Sequence, residues 1–575
     1  MSRFQGNNIL SRHPLAVTFA FIALCLLPMM LMRDFTPDNE LRYLQIADEA
    51  IENGNVFAFT LDGEAYADKP PLYLWLVILG RLLLGKHSML FLSLFSLIPA
   101  FVTICVIDRW GRPGNAVDRL SVAFMMMTCA LFLGESLLVR MDMLMTMFIV
   151  LALYSFWQLY EGGPSTGSGT ASTGSGTAST GSGTGMKRQE ILLPVLIFLA
   201  LFTKGPVGIL MPMVAIICFL LVRGKGREIG KYLGWKTWGI MAALCLVWFT
   251  GVYLDGGKEY LNNLLFHQTL GRAVNSFHHK APFWYYLVAV WYMVAPYMFL
   301  LVGSIVASLA GFRKEERGDR EVFFLVTILS TFVMLSAFSA KLAIYLSPVM
   351  PFMVLLFVEV LRRTGWKEWM TWSLAMPAGL MLLTALAVLW ILFFCPSDSR
   401  LGAILGPYSF IRSGMVKFGV FLLIQGLGFA LYLLYRKRPG PAIISLGAFM
   451  LLSGYCASSV LPRVNDWIGW GNLCKTIPQE GRVATLYIRR PGPMKVYLGR
   501  EVVDYQKDFN KFTESEMLPS EAYDGPLTLV TRSSKMMKDE ALKSFAEGNR
   551  HWFVGPYCLV SVEPEPIGND NINQQ

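Results

Sequence analysis

The chain has 575 residues, 54% of them hydrophobic and only 16% charged, with a mean hydropathy of +0.47; a soluble globular protein is excluded, and the bilayer is the solvent these residues suit. Its net charge of +10 does not point to nucleic acid, because the excess Lys and Arg lie in short loops beside apolar runs, where they orient helices. The nine cysteines are scattered singly, most of them in or beside apolar runs, and argue for neither a zinc site nor a disulfide framework.

A spanning helix takes roughly 17 to 25 apolar residues. Thirteen such runs begin near residues 14, 88, 119, 143, 190, 205, 237, 283, 321, 343, 369, 414 and 441. The first is predicted to be an anchor, not a cleaved signal, because the polar loop after it lacks a small-residue cleavage site. Within that loop, residues 33–70, the stretch PDNELRYLQIADEAIENG places Leu41, Leu44 and Ile51 along one helical face, with Asn53-Gly54 as a stop. An interfacial helix is predicted, its start carrying Asp38 and Glu40. The loop ends in Ala67-Asp68-Lys69-Pro70-Pro71, where the prolines hold an extended backbone as Lys69 reaches the membrane surface. A lysine there ordinarily snorkels.

Residues 71–85 are apolar but short for a span and contain Arg81, so a surface or re-entrant position is predicted. With that piece set aside, the loops holding Arg109 and Arg112, Lys187 and Arg188, Arg223 to Lys236, Arg313 to Arg320, Arg362 and Arg363, and Arg436 to Arg438 share a side with Arg3 and Arg12. The positive-inside rule then gives thirteen spans, a cytoplasmic N-terminus and an external C-terminus.

The opposite side collects isolated polar motifs. Glu135 to Asp142 form a short turn whose Arg140 and Asp142 precede a span, where a carboxylate is also a good helix cap. Lys204 lies in the tight turn Phe202-Thr203-Lys204-Gly205-Pro206, and a lysine at membrane depth calls for an anion or a distant partner. A later loop carries His267, Arg272, His278, His279 and Lys280, with no spacing that suits zinc. Lys341 and Tyr345 follow the ninth span. In a chain whose helix centres are nearly free of ionisable groups, this gathering on one face predicts a site.

Residues 165–185 repeat the unit STGSGTA with one terminal variation and read as a flexible cytoplasmic tether within 163–185. The expected division is a membrane-embedded domain over 1–462 and an external α/β domain over 463–575. The latter shows strand-like runs at 483–488, 496–498 and 527–531, a helical run at 534–547 and a final strand pattern at 551–562. Cys474 and Cys558 both fall in it and are a candidate disulfide pair.

Cations beside carboxylates at a membrane surface suit group transfer from a lipid-linked phosphate: the cations hold the phosphate as it leaves, and a carboxylate takes the proton of the attacking hydroxyl. No Walker or Rossmann motif is present or required. A transporter or flippase of polyprenyl-phosphate-linked lipids is the alternative, although the broken mid-membrane helices and internal repeat expected of one are not evident.

The acidic stretch before Arg42-Tyr43, Lys69-Pro70-Pro71, Arg140-Met141-Asp142, Thr203-Lys204-Gly205-Pro206, His267 with Arg272, the run from His279 to Tyr286, and Lys341 with Tyr345 occur in that order. Through them the chain resembles the GT-C type integral-membrane glycosyltransferases, specifically the relatives of protein O-mannosyltransferases and the lipid A aminoarabinose transferase. The resemblance implies a multi-span α-helical enzyme of the bacterial cytoplasmic membrane with a polyprenyl-phosphate-linked sugar as donor and a lipid, glycan or protein acceptor. It implies that a first-loop acid is the base, that Asp142 supports acceptor or base, and that Lys69, Lys204, Arg272 and Lys341 bind the donor phosphate. Arg42, Tyr43, Arg140, His267, His279 and Tyr345 complete the implied substrate site. No cofactor is indicated; a divalent metal is left open without a ligand set to support it. The family motif has an Asp-Glu pair two residues ahead of Arg-Tyr, whereas here Asn39 falls on the usual aspartate between Asp38 and Glu40. Either Asp38 or Glu40 serves, with Asp38 slightly favoured.

Overall fold

The computed structural model describes residues 13–162, 182–265, 280–310, 317–516 and 526–562. It divides into two compact units: Met1–Leu31, Gly54–Phe59 and Ala65–Ser459 form the larger, and Met32–Asn53, Thr60–Glu64 and Val460–Gln575 the smaller.

The larger unit is helical. Nine helices among the described residues are long and apolar enough to cross a membrane, and a tenth arises if Ala116–Thr128 and Ala130–Leu137, bent by 72° at Cys129, count as one span. The expected thirteen is a finer count than this. Of the three other sequence runs, Pro206–Val222 has 17 residues, Ser182–Lys204 begins with the polar stretch SGTGMKRQE, and the run from 283 is broken into Tyr285–Met293 and Met298–Ala310. The 71–85 run is a helix, Leu72–Leu84, of 13 residues, ended by Gly85 in the left-handed conformation that a missing Cβ permits.

Helix faces report their surroundings. Glu368–Phe394 buries only 22% of its most apolar window and exposes Leu380, Leu383, Trp390 and Phe394, a surface that suits lipid tails and not water. Inside the unit, Trp110 is fully buried among Tyr154, Trp157, Phe323, Phe324 and Phe352.

The smaller unit holds a five-stranded sheet of β1 (Arg482–Leu486), β2 (Val503–Asp504), β3 (Leu527–Arg532), β4 (Arg550–Val554) and β5 (Tyr557–Val562), in the order β2-β1-β3-β5-β4. β1 runs parallel to β2 and β3, and β5 is antiparallel to β3 and β4. Leu486, Leu529, Val560, Phe512 and Leu542 form its core.

Several sequence expectations change here. Residues 496–498 belong to a short helix, Lys495–Leu498, because Pro491 and Pro493 favour a helical start and Gly499 closes it in the left-handed conformation. The 534–547 helix is two, Ser533–Met536 and Glu540–Gly548, the second capped by the Asp539 carboxylate. The last strand pattern is a hairpin turning at Gly555. Cys474 and Cys558 are both free and buried, so the candidate disulfide is absent. Burial pushes their thiols up, to about 12 and about 11.

The start of the first loop packs into this unit. The Asp34 carboxylate accepts from the Gly471 N–H and the Tyr497 hydroxyl, and Asn465 donates to the Met32 carbonyl at 2.7 Å. The predicted loop helix is Arg42–Asn53, with Gly54 beyond it at φ 72°. Leu41, Leu44, Ile46 and Ala47 are buried, but Ile51 is exposed. The helix packs on Lys495–Leu498, so its apolar face is covered by protein and does not form the bare interfacial stripe expected.

Candidate functional site

In the larger unit the site grows from one helix pair. Asp142–Gly162 and Ser182–Lys204 are 21 and 23 residues long and lie side by side in antiparallel register, with the Ser155 hydroxyl bonded to Gln189 Oε1 at 2.7 Å midway. In such a pair the first residue of one helix meets the last of the other. Asp142 and Lys204 hold those positions, and the Lys204 ammonium pairs with Asp142 Oδ1. Each charge also sits at the helix end whose dipole favours it. Gly205, at φ 93°, and Pro206 then turn the chain into Pro206–Val222.

Around this pair, Arg140 Nε donates to the other Asp142 oxygen at 3.1 Å, so one carboxylate with 1% exposure bridges two cations. The Lys204 ammonium lies 4.6 Å from the Tyr345 ring centroid, a cation–π arrangement placed by the short helix Ala343–Val349. Charge interactions link Lys204 to Arg140, Glu135 and Lys69. Lys69 lies 3.4 Å from Asp68. Lys341 is buried and donates to the Phe338 carbonyl. Lys204, Arg140 and Lys69 thus gather about the Asp142 carboxylate, with Asp68 beside Lys69; clustered cations of this kind are the chemistry that phosphate oxygens recruit.

Glu135 was not singled out as a site residue by sequence reasoning. It is 2% exposed, and its charge interacts with Lys204 and Arg140. An acid inside an apolar helix was the available signal; its approach to Lys204 and Arg140, on other elements, was not legible.

The smaller unit separates the two first-loop acids. Glu40 is fully buried and takes a two-pronged bond from Arg33, at 2.7 and 2.8 Å, plus the Thr36 N–H at 2.8 Å and the Thr36 hydroxyl at 3.0 Å. Those bonds occupy its oxygens and fold the turn Pro37–Leu41. Asp38, two residues earlier on that turn, is exposed and lines a cavity together with Arg42. The Arg42 guanidinium stacks 5.7 Å from the centroid of buried Tyr43. His267, Arg272, His278 and His279 lie outside the described residues. Among the described residues no group of three or more His, Cys, Asp or Glu is placed to hold a metal ion.

No protein-family model matches the chain. The undecaprenyl phosphate-alpha-4-amino-4-deoxy-L-arabinose arabinosyl transferase of Shewanella sediminis is 25% identical over 342 residues, 58% of this chain and 57% of that protein. The corresponding transferase 1 of Pseudomonas fluorescens is 24% identical over 337 residues, 57% and 54% respectively. The chain thus spans little more than half the length of these curated relatives. The solved structure of ArnT from Cupriavidus metallidurans bound to undecaprenyl phosphate superposes with a TM-score of 0.68 at 16% identity, over 95% of this chain and 98% of that one. The chain has the fold of that structure. The apo state of the same protein superposes with a TM-score of 0.66 at 17% identity, over 96% of this chain and 98% of that one.

Proposed function

We propose that the chain transfers a sugar, a pentosyl unit such as 4-amino-4-deoxy-L-arabinose, from a polyprenyl-phosphate donor to a hydroxyl or phosphate of a lipid, glycan or protein acceptor. The observation that carries this reading is the Asp142 carboxylate bridging Lys204 and Arg140 under Tyr345, in a chain related to transferases of that donor class. Lys204, Arg140 and Lys69 receive the donor phosphate, with Lys341 and Arg272 added from the sequence motifs, while Asp142 fixes the cations in place. Leaving-group charge on a single phosphate is neutralised by these cations. Asp38 takes the proton from the acceptor as its oxygen attacks the anomeric carbon, and polyprenyl phosphate departs. Glu40, enclosed by Arg33 and Thr36, shapes the turn that presents Asp38.

The orientation belongs to the same proposal: thirteen crossings, the N-terminus cytoplasmic, residues 1–462 membrane-embedded, and residues 463–575 outside the cytoplasmic membrane, where transfer occurs. The test is product formation by purified protein with undecaprenyl-phosphate-linked sugar and an envelope lipid extract, read by mass spectrometry. A shifted acceptor mass is expected from the wild type and not from Asp38→Asn; full activity in Asp38→Asn would remove the base.

A further inference from the structure

The smaller unit encloses a cavity of about 860 Å³ that the assigned chemistry uses only at its wall, where Asp38 and Arg42 sit. Its floor is placed by topology. β1, β2 and β3 are parallel, and the order β2-β1-β3 means that the chain leaves β1 to one side and returns on the other. Open parallel sheets bind ligands outside the carboxyl ends of their strands at such a reversal. Immediately beyond β1 come Arg489 and Arg490, beyond β2 comes Lys507, and beyond β3 comes Lys535; all four line the cavity. All four are exposed, and none makes a side-chain hydrogen bond or ion pair among the described residues.

The backbone here is held in an unusual state. Six non-glycine residues among those described have positive φ, and four of them, Asp62, Tyr487, Arg490 and Gln506, line this cavity. Side chains rarely adopt that region, and clusters of it mark places where the fold imposes a geometry. The strain is clamped by a bond from the Tyr487 N–H to the Gln506 carbonyl and by the Gln506 N–H on Asp504 Oδ1 at 2.9 Å. Of the cavity's acids, Glu501 is already paired with Lys495 at 2.7 Å, and Asp62 accepts from Gln45 at 2.6 Å. Asp504 accepts from the Thr485 hydroxyl at 3.1 Å and from the Gln506 N–H, and with Asp38 these four acids share the lining with five cations, Arg42 being the fifth, so the wall keeps a small excess of positive charge.

We infer that this cavity is the acceptor subsite, and that Arg489, Arg490, Lys507 and Lys535 hold a phosphate group of the acceptor while Asp38 in its wall faces the acceptor's nucleophilic oxygen. The inference rests on the proposed transferase reading and adds to it the substrate feature that is recognised. Paired guanidinium forks match phosphate geometry, and the two lysines supply point charge.

The test uses the full chain in phosphatidylcholine nanodiscs, with glucose 6-phosphate as probe and 31P line broadening as readout. Wild type binds the probe, and the R489Q/R490Q variant binds on the order of tenfold more weakly or worse, while R489K/R490K, which keeps the charge and loses the fork, falls between. Phosphatidic acid added to the discs separates the two sources of phosphate: competition assigns a lipid headgroup, and no competition a soluble sugar phosphate. Equal binding by R489Q/R490Q with an unchanged melting temperature, or equal competition by uncharged glucose, overturns the inference. In transfer assays the same variant keeps its affinity for undecaprenyl phosphate and raises the acceptor KM; an unchanged acceptor KM also overturns it. Absence of transfer by the wild type would sink the transferase reading, while probe binding still decides whether the cavity takes phosphate.

Discussion

At the scale of single residues, two acids two positions apart have opposite environments. Glu40 is buried in charge-assisted bonds, and removing one partner of a buried pair costs about 3–5 kcal/mol, so Glu40→Gln is expected to lower the melting temperature and to lose activity with it. Asp38 is exposed, so Asp38→Asn leaves the melt unchanged and lowers transfer by ~10²- to 10⁴-fold, the usual worth of one general base. Melting and turnover measured on both variants separate the roles; equal destabilisation by the two would contradict the structure. Tyr345 gives a second contrast. Tyr345→Phe keeps the aromatic face over Lys204, whereas Tyr345→Leu removes an interaction worth about 0.5–2 kcal/mol, and donor affinity is expected to fall only in the latter. The sequence singled out Asp38, Glu40, Lys204 and Tyr345 but left the choice of base open, because burial is decided by what packs on the turn and not by the residues in it.

At the scale of elements, the turn after Lys204 depends on Gly208, where an added Cβ would collide with the backbone of Ala200 in the preceding helix. Gly208→Ala is therefore expected to force the two helices apart and lower the yield of folded protein. Because Lys204 lies in the same turn, donor affinity in the surviving fraction should fall too; normal yield and affinity would show that the helices do not approach this closely. In the smaller unit, burial and the neighbouring Asp34 charge raise the Tyr497 phenol well above its ordinary value. The folded state then keeps a proton that the unfolded chain releases near pH 10. Stability from this contact is complete below about pH 10 and declines as pH rises above it. Urea unfolding between pH 8 and pH 11 should show that decline, and Tyr497→Phe should flatten it at the expense of the Asp34 bond. Propensity was a sound guide to β1 and β3, whose apolar β-branched runs match their burial, and a poor one at 496–498. There the preceding prolines and Gly499 outweigh three residues of strand-like composition.

At the scale of the whole molecule, the proposed topology places the STGSGTA tether in the cytoplasm and residues 463–575 outside. A cysteine introduced at Gly174 is expected to react with an impermeant maleimide only after cell lysis, and one at Asn510 in intact spheroplasts; native Cys474 and Cys558, buried with raised pKa values, should stay silent in both. Labelling of both introduced sites from one side would end the external-transfer proposal.

Composition alone determined that the chain lives in a bilayer, because a helix needs only its own apolar length to pass from water into lipid. The order of short polar motifs carried the transferase resemblance for the same local reason: each motif is a few consecutive residues with their chemistry intact. Tertiary structure decided what those residues do together. Asp142 meets Lys204 because two helices of similar length pack antiparallel, Glu135 interacts with Lys204 from a separate helix, and the start of the first loop bonds to Gly471 and Tyr497 through Asp34. Such contacts join residues tens to hundreds of positions apart, and no local pattern encodes which surfaces will exclude solvent against each other.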